Sequence, residues 1–240
     1  MQTNIKICGL REPQGFESML DGRITSIGFV FAPSRRKVDP TVPFAWRTLI
    51  NHMPEHLNPP LLTGVFVNPT VDEVLRMVEN GSLDVVQLHG QESVDTCRSI
   101  RDALKEWTIA NGNRGVIQVW KALTIMEGEE VPIDTIGETI EKLAPFVDLF
   151  LVDTHDPQYG GGSGKTFSWD VLPQLQRTAN KCKRPLWVAG GLNPDNVRTL
   201  IDTYHPDGVD ISSGVETDQH KDIHKIDLFI KRVKSNDNMA

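Results

Sequence analysis

Short apolar runs alternate along the chain with longer amphipathic stretches, and each run gives way to turn or capping residues. A parallel sheet with crossover helices reads this way, because its strands are buried on both faces while each covering helix is apolar on one side only. The runs predict eight strands, at residues 4–8, 26–31, 62–67, 84–88, 116–122, 148–153, 186–189 and 208–211. The intervening stretches predict eight helices, at 13–20, 42–52, 71–79, 93–107, 134–144, 171–180, 194–204 and 223–233. Asn193 before Pro194 supplies a cap and a preset first turn, and Ser93 or Gln91 opens an earlier helix. Eight units in 240 residues average about thirty each, which predicts an α/β fold of the (β/α)8 TIM barrel type, closed and single-domain over residues 1–240. No Ser/Gly linker or repeat divides the chain, and residues 111–132 show no clear period.

Charge narrows the partners. Lys and Arg total 25 against 32 Asp and Glu, a net charge of -7 that argues against nucleic acid while leaving a small phosphorylated ligand open. Cys8, Cys97 and Cys182 are too widely spaced for a disulfide framework or a structural zinc site, which fits a reducing, cytoplasmic setting. No apolar run approaches the roughly 18 residues of a spanning helix, so neither a membrane anchor nor a signal peptide is expected. With no evident exposed apolar stripe, a monomer is the expected state.

In such a barrel the working face lies at the C-terminal ends of the strands. Cys8 ends the first strand in KICGL, where Gly9 lets the chain turn away and an exposed thiol is expected; the alternative is a small buried hydrophobe. Asp153 ends the sixth after Leu149, Phe150, Leu151 and Val152, so a partly desolvated acid is expected, with a loop-capping aspartate as the plainer reading. The stretch GGGSGKTF, residues 160–167, predicts a mobile loop over the barrel mouth; its lysine comes one residue too early for a P-loop, which excludes nucleotide binding on that motif.

Two strand ends suit a phosphate. AGGLNPDNV, residues 189–197, and DISSGVE, residues 210–216, combine glycines that let the backbone approach with the hydroxyls of Ser212 and Ser213. Arg36 in PSRRKV has the fork geometry for a carboxylate, although that segment alone reads as a solvated basic run. Strand alternation turns Lys6, Gln87, His89 and Asp210 inward, and Lys6 with Asp210 is expected to form an interior ion pair. His89 is a possible substrate contact or, equally, a loop-orienting residue.

Taken together, these segments resemble the phosphoribosylanthranilate isomerase family of tryptophan biosynthesis. The resemblance is carried by KICGL at Lys6, GFVFAPSRRKV at Gly28, GVFVN at Gly64, DVVQLHG at Asp84, LVDT at Leu151, GGSGKTFSW at Gly161, AGGLNPDNV at Ala189 and GVDISSGVE at Gly208. It implies a (β/α)8 barrel performing an Amadori rearrangement with no cofactor and no metal. It further implies Cys8 as general base and Asp153 as general acid. Arg36 would hold the substrate carboxylate, with Arg35 the alternative one residue away, and Gly190, Gly191, Ser212 and Ser213 would surround the phosphate. A histidine-pathway sugar isomerase is the enzyme rival, disfavoured by the cysteine on the first strand and by a single visible phosphate pair. A non-catalytic sugar-phosphate-binding barrel is the rival from another class, and it has no need of Cys8 and Asp153.

Overall fold

The structure is a computed structural model and describes residues 3–54, 56–79, 81–111, 115–126, 133–155 and 168–235. Eight parallel strands pair in sequence order and close on themselves: β1 (Asn4–Cys8), β2 (Ser26–Val30), β3 (Leu61–Phe66), β4 (Val85–Leu88), β5 (Gln118–Met126), β6 (Leu149–His155), β7 (Leu186–Val188) and β8 (Gly208–Ile211). Closure is made by β8 against β1, with Lys6 opposite Asp210 and Ile7 opposite Ile211. The predicted (β/α)8 barrel is therefore observed.

Among the described residues seven α-helices cover the barrel: α1 (Val42–Ile50), α2 (Val71–Glu79), α3 (Val94–Ala110), α4 (Ile133–Leu143), α5 (Leu172–Lys181), α6 (Val197–Tyr204) and α7 (Ile223–Lys234). Each presents an apolar stripe inward. On α7 the buried residues are Ile226, Phe229, Ile230 and Val233, one helical face, each contributing roughly 1.5–3 kcal/mol by burial. The Asp222 carboxylate caps that helix by accepting from the backbone N–H of His224 and Lys225, at 2.9 and 3.3 Å.

The helix expected over 13–20 is absent. Gly15 sits at φ 83°, a left-handed conformation that interrupts a right-handed helix, and only a 3-10 turn at Glu17–Met19 forms there. The helix expected from Pro194 begins at Val197 instead. The Asn193 side chain accepts from the N–H of Asp195 and Asn196, at 2.9 and 3.1 Å, and holds the preceding residues in a turn. After β8 the chain adds a two-stranded hairpin, β9 (Glu216–Thr217) and β10 (His220–Lys221).

The barrel interior is divided. Leu149 and Leu151 pack with Val85, Trp120, Ala122, Trp187 and Ala189 in an apolar cluster on the β4 to β7 side, with the two indoles 4.9 Å apart. Gly208 belongs to this arrangement, because a methyl there would overlap the Trp187 ring. Across the barrel the inward positions of β1, β2, β3 and β8 are polar: Lys6, Ser26, Thr63 and Asp210, all buried. Ser26 and Thr63 satisfy each other at 2.7 Å, and Lys6 donates to Asp210 at 2.7 Å. The expected interior ion pair is thus present.

Candidate active site

A cavity of about 180 Å³ opens at the C-terminal ends of the strands. Its lining includes Cys8 from β1, Arg36 from the loop after β2, His89 after β4, Asp153 on β6, Gly190 and Gly191 after β7, and Ser212 and Ser213 after β8. Two strands, β1 and β6, and the loops after β2, β4, β7 and β8 thus converge on one concave surface. The glycine-rich loop at 160–167 lies outside the described residues.

Cys8 differs from expectation in its exposure. It is 9% exposed, a buried thiol at the cavity floor. The side chain of Arg36 crosses directly over Gly9, so that even a methyl on Gly9 would stand 2.7 Å from the arginine Cδ. Beneath the sulfur, β2 contributes Gly28, where a methyl would come within 2.8 Å of Sγ and 3.1 Å of the Lys6 Cε. The absent side chain leaves room for the thiol and the ammonium to lie together.

Burial pushes the Cys8 thiol above its ordinary pKa; Lys6 and, less strongly, Lys221 pull it down, while Asp210 adds to the rise. Lys6 is itself fully buried. Burial works to discharge it, yet the Asp210 carboxylate and Cys8 outweigh that and hold its pKa above the ordinary value, so it stays an ammonium. Burial raises Asp210, against the attraction of Lys6. One Asp210 oxygen takes the Lys6 bond, and the other is buried without a partner among the described residues.

His89 bridges two polar groups. Its Nε2 lies 3.0 Å from the Asp153 carboxylate, and its Nδ1 lies 2.9 Å from the Gln87 amide nitrogen. His89 therefore meets the proposed acid in this structure.

The candidate anion cradle is built largely from backbone. Gly190 and Gly191 adopt φ of 84° and 63°, which turns their N–H groups in a way that L residues rarely allow. Ser212 precedes a 3-10 turn at Ser213–Val215, and its hydroxyl donates to the carbonyl of Cys8 at 3.1 Å. Cys8 and the loop after β8 are in this way tied together.

Arg36 faces the cavity, whereas Arg35 is absent from the lining and its side chain is 45% exposed. The Arg36 guanidinium donates two bonds to Glu216, from Nε at 2.7 Å and from a terminal nitrogen at 3.1 Å. Glu216 also receives Arg35 and Lys221, and Lys221 in turn donates to the Ser212 carbonyl at 2.8 Å and hydroxyl at 3.2 Å. Burial works to raise Glu216, but the hydrogen bonds from Arg36 and Lys221 and their charges hold it down at about 2. Sequence reasoning passed over Glu216 and Lys221 as site residues. They meet through a hairpin whose two turn residues, Asp218 and Gln219, have φ of 48° and 65° without the glycine that marks such turns.

A closed parallel barrel with titratable side chains and a backbone anion cradle gathered over its C-terminal strand ends is the build of a (β/α)8-barrel enzyme. A sequence profile described as N-(5'phosphoribosyl)anthranilate (PRA) isomerase matches residues 5–232, and the chain belongs to that family. It is accordingly an isomerase of the aldose–ketose class. The N-(5'-phosphoribosyl)anthranilate isomerase of Brevibacillus brevis is 36% identical over 235 residues, covering 98% of this chain and 95% of its own. The crystal structure of the enzyme from Thermotoga maritima is similar at TM-score 0.71 and 34% identity, over 98% of this chain and 100% of that one. A phosphoribosyl anthranilate isomerase solved in complex with reduced 1-(o-carboxyphenylamino)-1-deoxyribulose 5-phosphate is similar at TM-score 0.69 and 30% identity, over 98% and 100% of the two chains.

Proposed function

We propose that the cavity converts N-(5'-phosphoribosyl)anthranilate to 1-(2-carboxyphenylamino)-1-deoxyribulose 5-phosphate, the isomerisation step of tryptophan biosynthesis, with Asp153 as general acid and Cys8 as general base. Asp153 gives a proton to the ribose ring oxygen, the ring opens, and the anthranilate nitrogen becomes an iminium nitrogen bonded to C1. Cys8, as thiolate, takes the proton from C2; the electron pair left behind forms the C1–C2 double bond of an enolamine. Tautomerisation, with proton return to C1, gives the ketone. The phosphate is held by the N–H groups of Gly190 and Gly191 and by Ser212 and Ser213, and the aromatic carboxylate by Arg36.

One observation carries this reading: Cys8 and Asp153, on different strands, line the same small cavity as the glycine and serine cradle. The raised pKa of Cys8 adds a condition, because the thiol must lose its proton before it can act as a base. The cations nearest to it, Lys6 and Lys221, favour that loss.

Turnover followed by the loss of anthranilate fluorescence tests the assignment. Cys8→Ala and Asp153→Asn are each expected to lower kcat by about 10²–10⁴-fold while product affinity holds. A matching loss of product affinity would make these residues structural. A single chain is the proposed working unit, and sedimentation equilibrium checks it. A cytoplasmic setting is proposed on the three cysteines, all unpaired as thiols.

A further inference from the structure

Gln87 is fully buried on the inward face of β4, two residues before His89. Its amide nitrogen sits 2.9 Å from the His89 Nδ1, so in this orientation the amide donates and Nδ1 accepts. The ring hydrogen then belongs on Nε2, which points at Asp153 from 3.0 Å. The other end of the amide, Oε1, is buried with no partner among the described residues. A buried acceptor left unpaired is costly, and a half-turn of the amide would bring it to the same imidazole nitrogen.

Each orientation suits a different proton load. With the amide hydrogen on Nδ1, the pair holds one proton, on Nε2, beside an ionised Asp153. With Oε1 on Nδ1, the imidazole keeps a hydrogen at Nδ1 and the pair holds a second proton, either on Nε2 or on the Asp153 oxygen facing it. That second proton is the one an acid can deliver.

We propose that Gln87 is a positioning residue whose amide turns with the proton load of the His89–Asp153 pair, so that the pair stores the proton given to the ring oxygen. The proposal rests on the reading of Asp153 as general acid and specifies where the acid keeps its proton. Asp153 loses its proton to the substrate oxygen and becomes a carboxylate while the imidazole still holds its hydrogen on Nδ1; Nε2 then takes a proton from water as Nδ1 gives one up to water, the new Nε2–H stabilises the carboxylate, and the amide turns its own hydrogen back to Nδ1. Among the described residues, the other charged groups facing the pair are Arg36 in the same cavity, Asp210 of β8 and, bound to Asp210, Lys6 of β1 with Cys8 beside it. The nearest interior residues on the β3, β5 and β7 sides, Val65, Ala122 and Ala189, do not titrate.

Two substitutions at Gln87 pull in opposite directions. Gln87→Glu offers an acceptor that cannot turn and adds a negative charge, so the alkaline limb of the kcat profile moves up by roughly 1–3 pH units. Gln87→Met removes the acceptor, and the same limb moves down with KM little changed. Nitrogen-15 NMR of the imidazole in the unsubstituted resting protein gives a readout independent of turnover and of any variant's folding. At high pH, Nδ1 is expected to lack hydrogen and Nε2 to carry it, with hydrogen appearing on Nδ1 as pH falls. A neutral imidazole carrying its hydrogen on Nδ1 at high pH overturns the proposal, as do limbs in both variants that coincide with the unsubstituted protein. Failure of the acid assignment is read separately, from an Asp153→Asn protein that keeps its rate while the imidazole still titrates as described.

Discussion

Lys6 and Lys121 are each buried against a carboxylate, and they are used differently. Lys121, on the outer face of β5, reaches Glu92 at 2.9 Å and also donates to the carbonyls of Gly90 and Ala122, at 2.8 and 2.7 Å. Glu92 accepts in addition from the backbone N–H of Asn68 at 2.8 Å and of Gly90 at 3.0 and 3.1 Å. The loops after β3 and β4 are thereby fastened to β5. Lys6 and Asp210, inside the barrel, are also close at 2.7 Å, yet one carboxylate oxygen has no partner and the ammonium faces a thiol. A completed network fixes a scaffold, while an incomplete one leaves polar capacity at the place where a ligand enters.

Substituting the two acids in parallel breaks the comparison most sharply. Asp210→Asn leaves the Lys6 charge unpaired, and a loss of about 3–5 kcal/mol by denaturant unfolding is expected together with a fall in kcat. Glu92→Gln keeps an acceptor for the backbone N–H groups and should cost about 1–3 kcal/mol, with kcat within a few-fold of the original. Equal damage to turnover from both would erase the distinction.

A smaller effect sharpens it. Lys6→Met removes the strongest cationic influence on Cys8, so the thiol rises further and the ascending limb of kcat/KM against pH moves up by about one unit or more. An unmoved limb would show that Lys6 serves packing alone. The smallest expected change concerns acid stability. The Glu216 pKa falls from 4.5 to about 2 on folding, so its contribution is present above pH 4.5 and is lost as pH falls toward 2. Glu216→Gln should flatten the stability curve in that window and leave it unchanged in slope at neutral pH.

The sequence makes the barrel legible because strand and helix follow different periods, and β1 through β8 all appear within a few residues of their expected places. The first helix misleads because residues 13–20 carry a plausible pattern, while the backbone at Gly15 is left-handed and only a single 3-10 turn forms. The site residues could be nominated from strand ends, but their environments could not. That Arg36 and not Arg35 faces the cavity depends on how one loop crosses Gly9. The burial of Cys8 likewise depends on walls supplied by distant segments. Glu216 and Lys221 went unread because Asp218 and Gln219 form a tight hairpin turn without its usual composition.

Gly28 carries a consequence for how this chain tolerates change. It is a plain strand position in the wall of β2, and backbone conformation alone would accept an alanine there. The space such a methyl needs is already taken by the sulfur and the ammonium carbon, at 2.8 and 3.1 Å. Variation at residue 28 is therefore constrained by the side chains of the neighbouring strand, and an alanine scan confined to residues lining the cavity would overlook it.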